Sequence, residues 1–225
     1  MKKSAFTLSE ILITLAIVGI ISVLTLPSMV GNFSTKANLA TLKATYQQVG
    51  DALSQAMIDQ GVRNVIDLEF DGDNNAEKIA SFVSRYLEMA KDCGNQAGNC
   101  FAQSYNTYTG ENVQTPFANN GVAFSEYVKL VNGASVAFII DLVDGNSEDM
   151  YVLIDVNGPD KPNVFGKDTF VSSIRTNGSL GWAVLSSDFL DDMKSDCGGS
   201  NDASSAESCF ELLKAKNWDI EHYLD

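Results

Sequence analysis

The chain has a single histidine, His222. That scarcity rules out a zinc site built on several histidines, and it leaves any Ser-His-Asp or Cys-His triad one imidazole to use. No nucleophile motif lies near His222, and no G-x-S-x-G, Walker loop, GxGxxG or HExxH occurs elsewhere, so the expectation is a protein that is not an enzyme. Basic residues are also few. There are 15 Lys and Arg against 29 Asp and Glu, a formal charge of -14. Such a chain has no global positive field to hold a phosphate backbone, so general nucleic-acid binding is not expected. Four prolines and 17 glycines give neither a collagen repeat nor a linker bias, and 45% hydrophobic residues argue against wholesale disorder. At 225 residues the chain can form one ordinary core, or a small domain with an appendage.

Charge is missing altogether from Ile11 to Thr35. As a helix this run would extend about 37 Å at 1.5 Å per residue, more than the roughly 30 Å of a hydrocarbon core. Lys2 and Lys3 precede it, and the next basic residue is Lys36, so the bias places the N-terminus in the cytoplasm and the remainder outside. A cleaved secretory signal and a plain membrane anchor both fit this pattern. Leu26-Pro27-Ser28-Met29 is, however, a poor small-residue cleavage site. Glu10 stands at the edge of the apolar run. An acid there is either a functional residue or one resting harmlessly at headgroup level.

Ser4-Ala5-Phe6-Thr7-Leu8-Ser9-Glu10, followed by Ile11 to Leu26, resembles the class III signal of type IV pilins and type II secretion pseudopilins. The resemblance covers about the first 30 residues. It implies cleavage by a prepilin peptidase between Ala5 and Phe6, and N-methylation of Phe6. Glu10 then falls at the fifth mature position and Pro27 at the twenty-second, where the family carries its glutamate and often a proline. Ala5 stands where the family usually has glycine, and Ser9 where it usually has an apolar residue. Removing Lys2 and Lys3 leaves 13 basic and 29 acidic residues, a formal charge of -16. The new ammonium on Phe6 needs a counter-ion in a low-dielectric bundle, and Glu10 of a neighbouring subunit can supply one. Glu10 and Pro27 are thereby read as assembly residues.

Pro27 lacks an amide hydrogen, which predicts a kink or melted stretch near Leu24–Ser28 but no helix end. The apolar pattern resumes with Leu39, Leu42, Tyr46, Val49, Leu53 and Ala56 at alternating spacings of about three and four, so one helix from Thr7 to Gln60 is expected, stopped by Gly61. Asp71-Gly72-Asp73-Asn74-Asn75 hints at a metal loop but lacks the EF-hand glycine position and its final Glu, so it reads as a turn and cap before a second helix, Ala76 to Lys91. Strands are expected at Tyr127–Val131, Ala134–Val143, Met150–Val156, Thr169–Arg175 and Leu180–Leu185, with turns at Asn132-Gly133, Asp144-Gly145-Asn146 and Asn177-Gly178. The fold class is α+β: a long N-terminal helix, kinked near Pro27, packed on a 4-5-stranded antiparallel sheet, which is also the pilin-like head that the resemblance implies. The domain reading is a leader over 1–5, a transmembrane and filament-core helix over 6–30, and a head over 31–225.

Four cysteines permit three pairings. Cys93 with Cys100 and Cys197 with Cys209 is the preferred set, since each pair brackets a Gly-, Asn- or Ser-rich loop and would add about 2–3 kcal/mol by loop closure. A four-cysteine zinc site is the rival, with spacings that fit no knuckle. Disulfides agree with an oxidising compartment, and the second pair resembles the closed C-terminal region of type IV pilins. Between Asp155 and Asp168, the side chains of Asp155, Asn157, Asp160 and Asp168 offer hard oxygen ligands for Ca²⁺. The resemblance agrees in kind, because major pseudopilins hold calcium in a head loop. A rigid turn built by Asx residues and Pro is the competing reading. The tail from Trp218 to Tyr223 is expected to pack back on the head beside a last helix, Ala206 to Lys216.

These readings converge on a structural subunit of a type IV filament. The partners implied are further copies of itself, other pilins or pseudopilins, prepilin peptidase, an inner-membrane assembly platform and the membrane. The alternative is a non-polymerising, membrane-anchored extracellular binding module or adhesin.

Overall fold

A 53-residue helix, α1 (Leu8–Gln60), opens the computed structural model, which describes residues 7–98, 100–113, 126–139, 150–182, 187–199, 203–220 and 222–223. Helical backbone continues through residues 24–28, so Pro27 is not a helix end and the melted stretch is absent. The stop comes at Gly61, as the sequence indicates. Its φ of 70° lets the Gly61 N–H reach Ile58 O (3.1 Å) and the Val62 N–H reach Met57 O (3.0 Å), a Schellman closure. The chain divides into two compact units, Met1–Ala37 and Asn38–Asp225.

Within the second unit the core is assembled on the predicted stripe. Leu42, Val49, Leu53 and Ala56 are fully buried, with Leu39 and Tyr46 packed at the margin. Helix α2 (Asn75–Tyr86) starts where Asn74 accepts the Glu77 N–H (3.1 Å) and Glu77 accepts the Asp73 N–H (2.7 Å), a reciprocal cap. It ends five residues short of the expected Lys91. Residues Met89–Gly94 instead form strand β1, and Ala90 is exposed rather than on the apolar helix face. Pairing with a neighbouring strand satisfies this backbone and overrides a weak helical pattern.

A small pair, β2 (Tyr105–Asn106) and β3 (Asn112–Val113), precedes the main meander of β4 (Glu126–Leu130), β5 (Ser135–Ile139), β6 (Tyr151–Asp155) and β7 (Thr169–Ser173). The five-stranded sheet has the order β1-β4-β5-β6-β7 and every pair is antiparallel. The Asn132-Gly133 turn forms as expected, with Gly133 at φ 94° and Asn132 Oδ1 accepting the Ala134 N–H. Asn132 Nδ2 also donates to the buried Thr45 hydroxyl, which ties the hairpin to α1. The expected turn at Asp144-Gly145-Asn146 lies outside the described residues. Of the expected strand Leu180–Leu185, residues 183–185 lie outside the described residues, and Leu180 forms a bridge with Ile174.

Both faces of the sheet are covered. Val128, Val136, Phe138, Val152, Ile154 and Phe170 face α1, α2 and the C-terminal helices. Tyr127, Ala137, Leu153 and Val171 face a second cluster around Cys100, Phe101, Tyr105 and Phe165. That double cover explains why β5 and β6 read as nearly continuous apolar runs rather than alternating ones. Helices α3 (Ser187–Gly199) and α4 (Ala203–Ala215) close the fold, so the last helix starts three residues earlier than expected and α3 was not foreseen.

Candidate functional site

The first unit, Met1–Ala37, carries the start of α1. From Leu8 to Thr25 it is long and apolar enough to cross a membrane and none of it is buried; Leu8 is 79% exposed and Leu24 74%. Its two threonine hydroxyls are satisfied within the helix. Thr14 donates to Glu10 O (3.0 Å) and Ile11 O (2.9 Å), and Thr25 donates to Ile21 O (2.9 Å). Lipid offers no hydrogen bonds, so this self-sufficiency suits a bilayer. The Glu10 carboxylate accepts both the Thr7 N–H and the Thr7 hydroxyl, each at 2.8 Å. In the lone subunit it therefore caps the start of its own helix. Ala5 and Phe6, the expected cleavage and methylation positions, lie outside the described residues, as does the side chain of Pro27.

The acidic loop of the head holds its two buried carboxylates on hydrogen-bond donors. Asp155, at the end of β6, is fully buried; it accepts the Tyr105 hydroxyl (2.6 Å) and the Asn157 N–H (3.3 Å). Asp168, also fully buried, accepts the Val164 N–H (2.6 Å) and the Asn163 N–H (2.7 Å). Asn157 donates through Nδ2 to Asp160 O and Lys161 O. Asp160 itself is exposed. The fold thus brings Asp155, Asn157 and Asp168 together, with their carboxylates engaged by N–H and O–H donors. Among the described residues no group of three or more His, Cys, Asp or Glu is placed to hold a metal ion. The arrangement is a hydrogen-bonded knot closing the long β6–β7 connection. Tyr105 is its missed member, because a residue 50 positions away leaves no local signal.

Burial drives the electrostatics of this knot. Desolvation pushes the Asp155 carboxyl up to about 8, opposed by the Tyr105 hydrogen bond and reinforced by the charge of Asp168. Asp168 is raised by burial too, and burial raises the Tyr105 phenol with the Asp155 charge adding to it. Burial and a hydrogen bond with Asp92 lift Glu126 to about 7. An acid raised on folding binds its proton more tightly in the native state, so it costs stability as pH climbs from the unfolded value towards the folded one. For Asp155 that window is about pH 4 to 8, with a slope approaching 1.4 kcal/mol per unit. The melting temperature should accordingly fall between pH 5 and 8. Asp155→Asn keeps an acceptor for Tyr105 and removes the charge, so its melting temperature should decline less over that range in circular-dichroism melts.

Both cysteine pairs form disulfides, Cys93 with Cys100 and Cys197 with Cys209. The second joins α3 to α4. Next to it, α4 grips the head half of α1. The Tyr46 ring lies 5.6 Å from Phe210 and 5.8 Å from Trp218, and Lys214 Nζ sits 5.6 Å above Tyr46 while paired to the buried Glu211 at 3.2 Å. Trp218, Ile220 and Tyr223 pack back on the core, as the sequence suggests. His222 is exposed and meets Asp219 at 3.2 Å.

An exposed apolar helix capped by its own acid, followed by a disulfide-bonded α+β head, fits a class of membrane-anchored, extracytoplasmic proteins. Residues 1–26 match the family model described as the prokaryotic N-terminal methylation motif, which is the signature of type IV pilins and pseudopilins. Neither a curated protein nor a solved structure matches the chain.

Proposed function

We propose that the protein is a structural subunit of a type IV filament, a pilin or a type II secretion pseudopilin, matured by cleavage between Ala5 and Phe6 and polymerised through α1. The observation that carries this reading is the wholly unburied helix Leu8–Thr25, which has Glu10 at its start and lies within the matched motif. At about 25 cal/mol per Å², so much exposed apolar surface must be covered by something outside the chain. Lipid covers it first, and neighbouring helices cover it after extraction into a filament. Each subunit offers Glu10 to the Phe6 ammonium of the next, a heterologous contact that does not close on itself and so propagates as a fibre. The head has no catalytic part in this scheme and serves as the displayed surface. A prepilin peptidase and an assembly platform act as separate partners.

Mass spectrometry of the protein purified from its native membrane tests the first step. The expected N-terminus is Phe6 carrying an N-methyl group. An intact Met1 would overturn the reading and favour a plain anchored binding module.

A further inference from the structure

The two disulfides sit in opposite environments. Cys209 is fully buried and Cys197 is 2% exposed. The tail crosses them as a strap. Asn217 and Trp218 take left-handed backbone (φ 56° and 64°), and the Trp218 ring meets Tyr46 and Phe210 edge to face. Tyr223, itself 2% exposed, donates its hydroxyl to Gly166 O at 2.7 Å and holds it 3.7 Å from Cys197 Sγ. Gly166 closes the other side, since even a Cβ there would press on Cys209.

Among the described residues Cys93 has no such strap over it and packs, partly buried, against the Cys100 and Phe101 cluster. It is partly exposed, on β1, which forms one edge of the sheet and whose neighbouring side chains Lys91 and Asp92 face solvent. Beside it opens a cavity of about 460 Å³ lined by Gly98, Phe101, Ala102, Gln103, Ser104 and Asn163 along with Pro159. A Cβ on Gly98 would stand 4.0 Å from Cys93 Sγ, so the sulfur borders the glycine that forms the cavity wall. Cys100, by contrast, is fully buried, and its carbonyl accepts the Ser135 hydroxyl.

From this contrast we infer that Cys93 is a thiol–disulfide exchange site, open to thiol reductants and dithiol oxidoreductases, while the tail strap withholds Cys197–Cys209 from the same chemistry. Access to the attacked sulfur governs such exchange. A reductant thiolate attacks Cys93 Sγ, the Cys93–Cys100 bond breaks, and Cys100 leaves as a thiolate that takes up a proton. The reductant's second thiol then attacks the mixed disulfide. Cys93 is released as a thiol and the reductant departs as a disulfide, having given two electrons. The head would therefore carry one fixed crosslink and one that follows the redox poise of its compartment. This inference does not depend on the filament reading.

The test uses the full-length protein in detergent, exposed to dithiothreitol for timed intervals without denaturant, alkylated and mapped by peptide mass spectrometry. Cys93 and Cys100 should be labelled roughly tenfold faster or more than Cys197 and Cys209. Equal rates, or the reverse order, overturn the assignment. Tyr223→Phe removes only the hydroxyl that pins the strap. It should speed labelling of Cys197 and Cys209 several-fold and leave Cys93 unchanged, and an unaltered rate for Cys197 and Cys209 overturns the strap.

Discussion

Glu10→Ala subunits are expected to enter the membrane normally and to yield roughly tenfold fewer filaments or less. Insertion depends on apolar length, which the change leaves intact or improves, since an acid within the bilayer is unfavourable. In the proposed filament, assembly depends on pairing the terminal ammonium that cleavage before Phe6 would expose. Leaving such a charge buried without its counter-ion costs about 3–5 kcal/mol, and each 1.4 kcal/mol is tenfold in an equilibrium. The isolated subunit shows where the carboxylate waits: on the Thr7 N–H and hydroxyl, at 2.8 Å each. Those bonds are lost in the variant as well, but they cap one helix end and are worth about 1 kcal/mol. Quantifying the subunit in membrane and sheared-fibre fractions checks the result. Equal fibre yield from Glu10→Ala would remove the electrostatic basis of the proposed polymerisation.

Phe210→Ala should be the most damaging single truncation in the C-terminal part of the head. Its fully buried ring touches Tyr46, Phe170 and Trp218 and lies beneath Lys214. Truncating a buried Phe costs about 3–5 kcal/mol, which for a unit of this size lowers the melting temperature by roughly 6–20 °C. The cavity would open at the point where α4 grips α1. Ile58→Ala is the matched control, because Ile58 lies on the same long helix with 71% exposure and should shift the melt by no more than about 0.5 kcal/mol. Thermal melts of both variants in detergent separate a local cavity from a general loss of α1.

The sequence made the parts governed by short-range rules legible. The α1 stripe from Leu39 to Ala56, the Gly61 stop, the Asn74 cap and the Asn132-Gly133 hairpin all follow from periodicity or from backbone preferences within a few residues. It misjudged Met89–Gly94, because a strand at the edge of a sheet draws its hydrogen bonds from a partner some 35–40 residues later, and that partner outweighs local helical spacing. It left Asp155 to Asp168 open between hard oxygen ligands and a rigid turn built by Asx residues and Pro, without naming the donors that engage them. Nothing near those residues announces that Tyr105 and the backbone of Asn163 and Val164 will claim them.

The division has a physical cause. Hydrophobic length, the register of Glu10 and Pro27 behind the expected cleavage site, and the short loops between cysteines are one-dimensional properties, so the sequence alone carried the methylation motif, a helix apolar enough to cross a membrane and a preferred pairing of its cysteines. Burial is a three-dimensional property. Only the tertiary structure decided that both faces of the sheet are covered, that two carboxylates are sealed among donors, and that Cys197 and Cys209 are buried beside the C-terminal tail while Cys93 stays partly exposed.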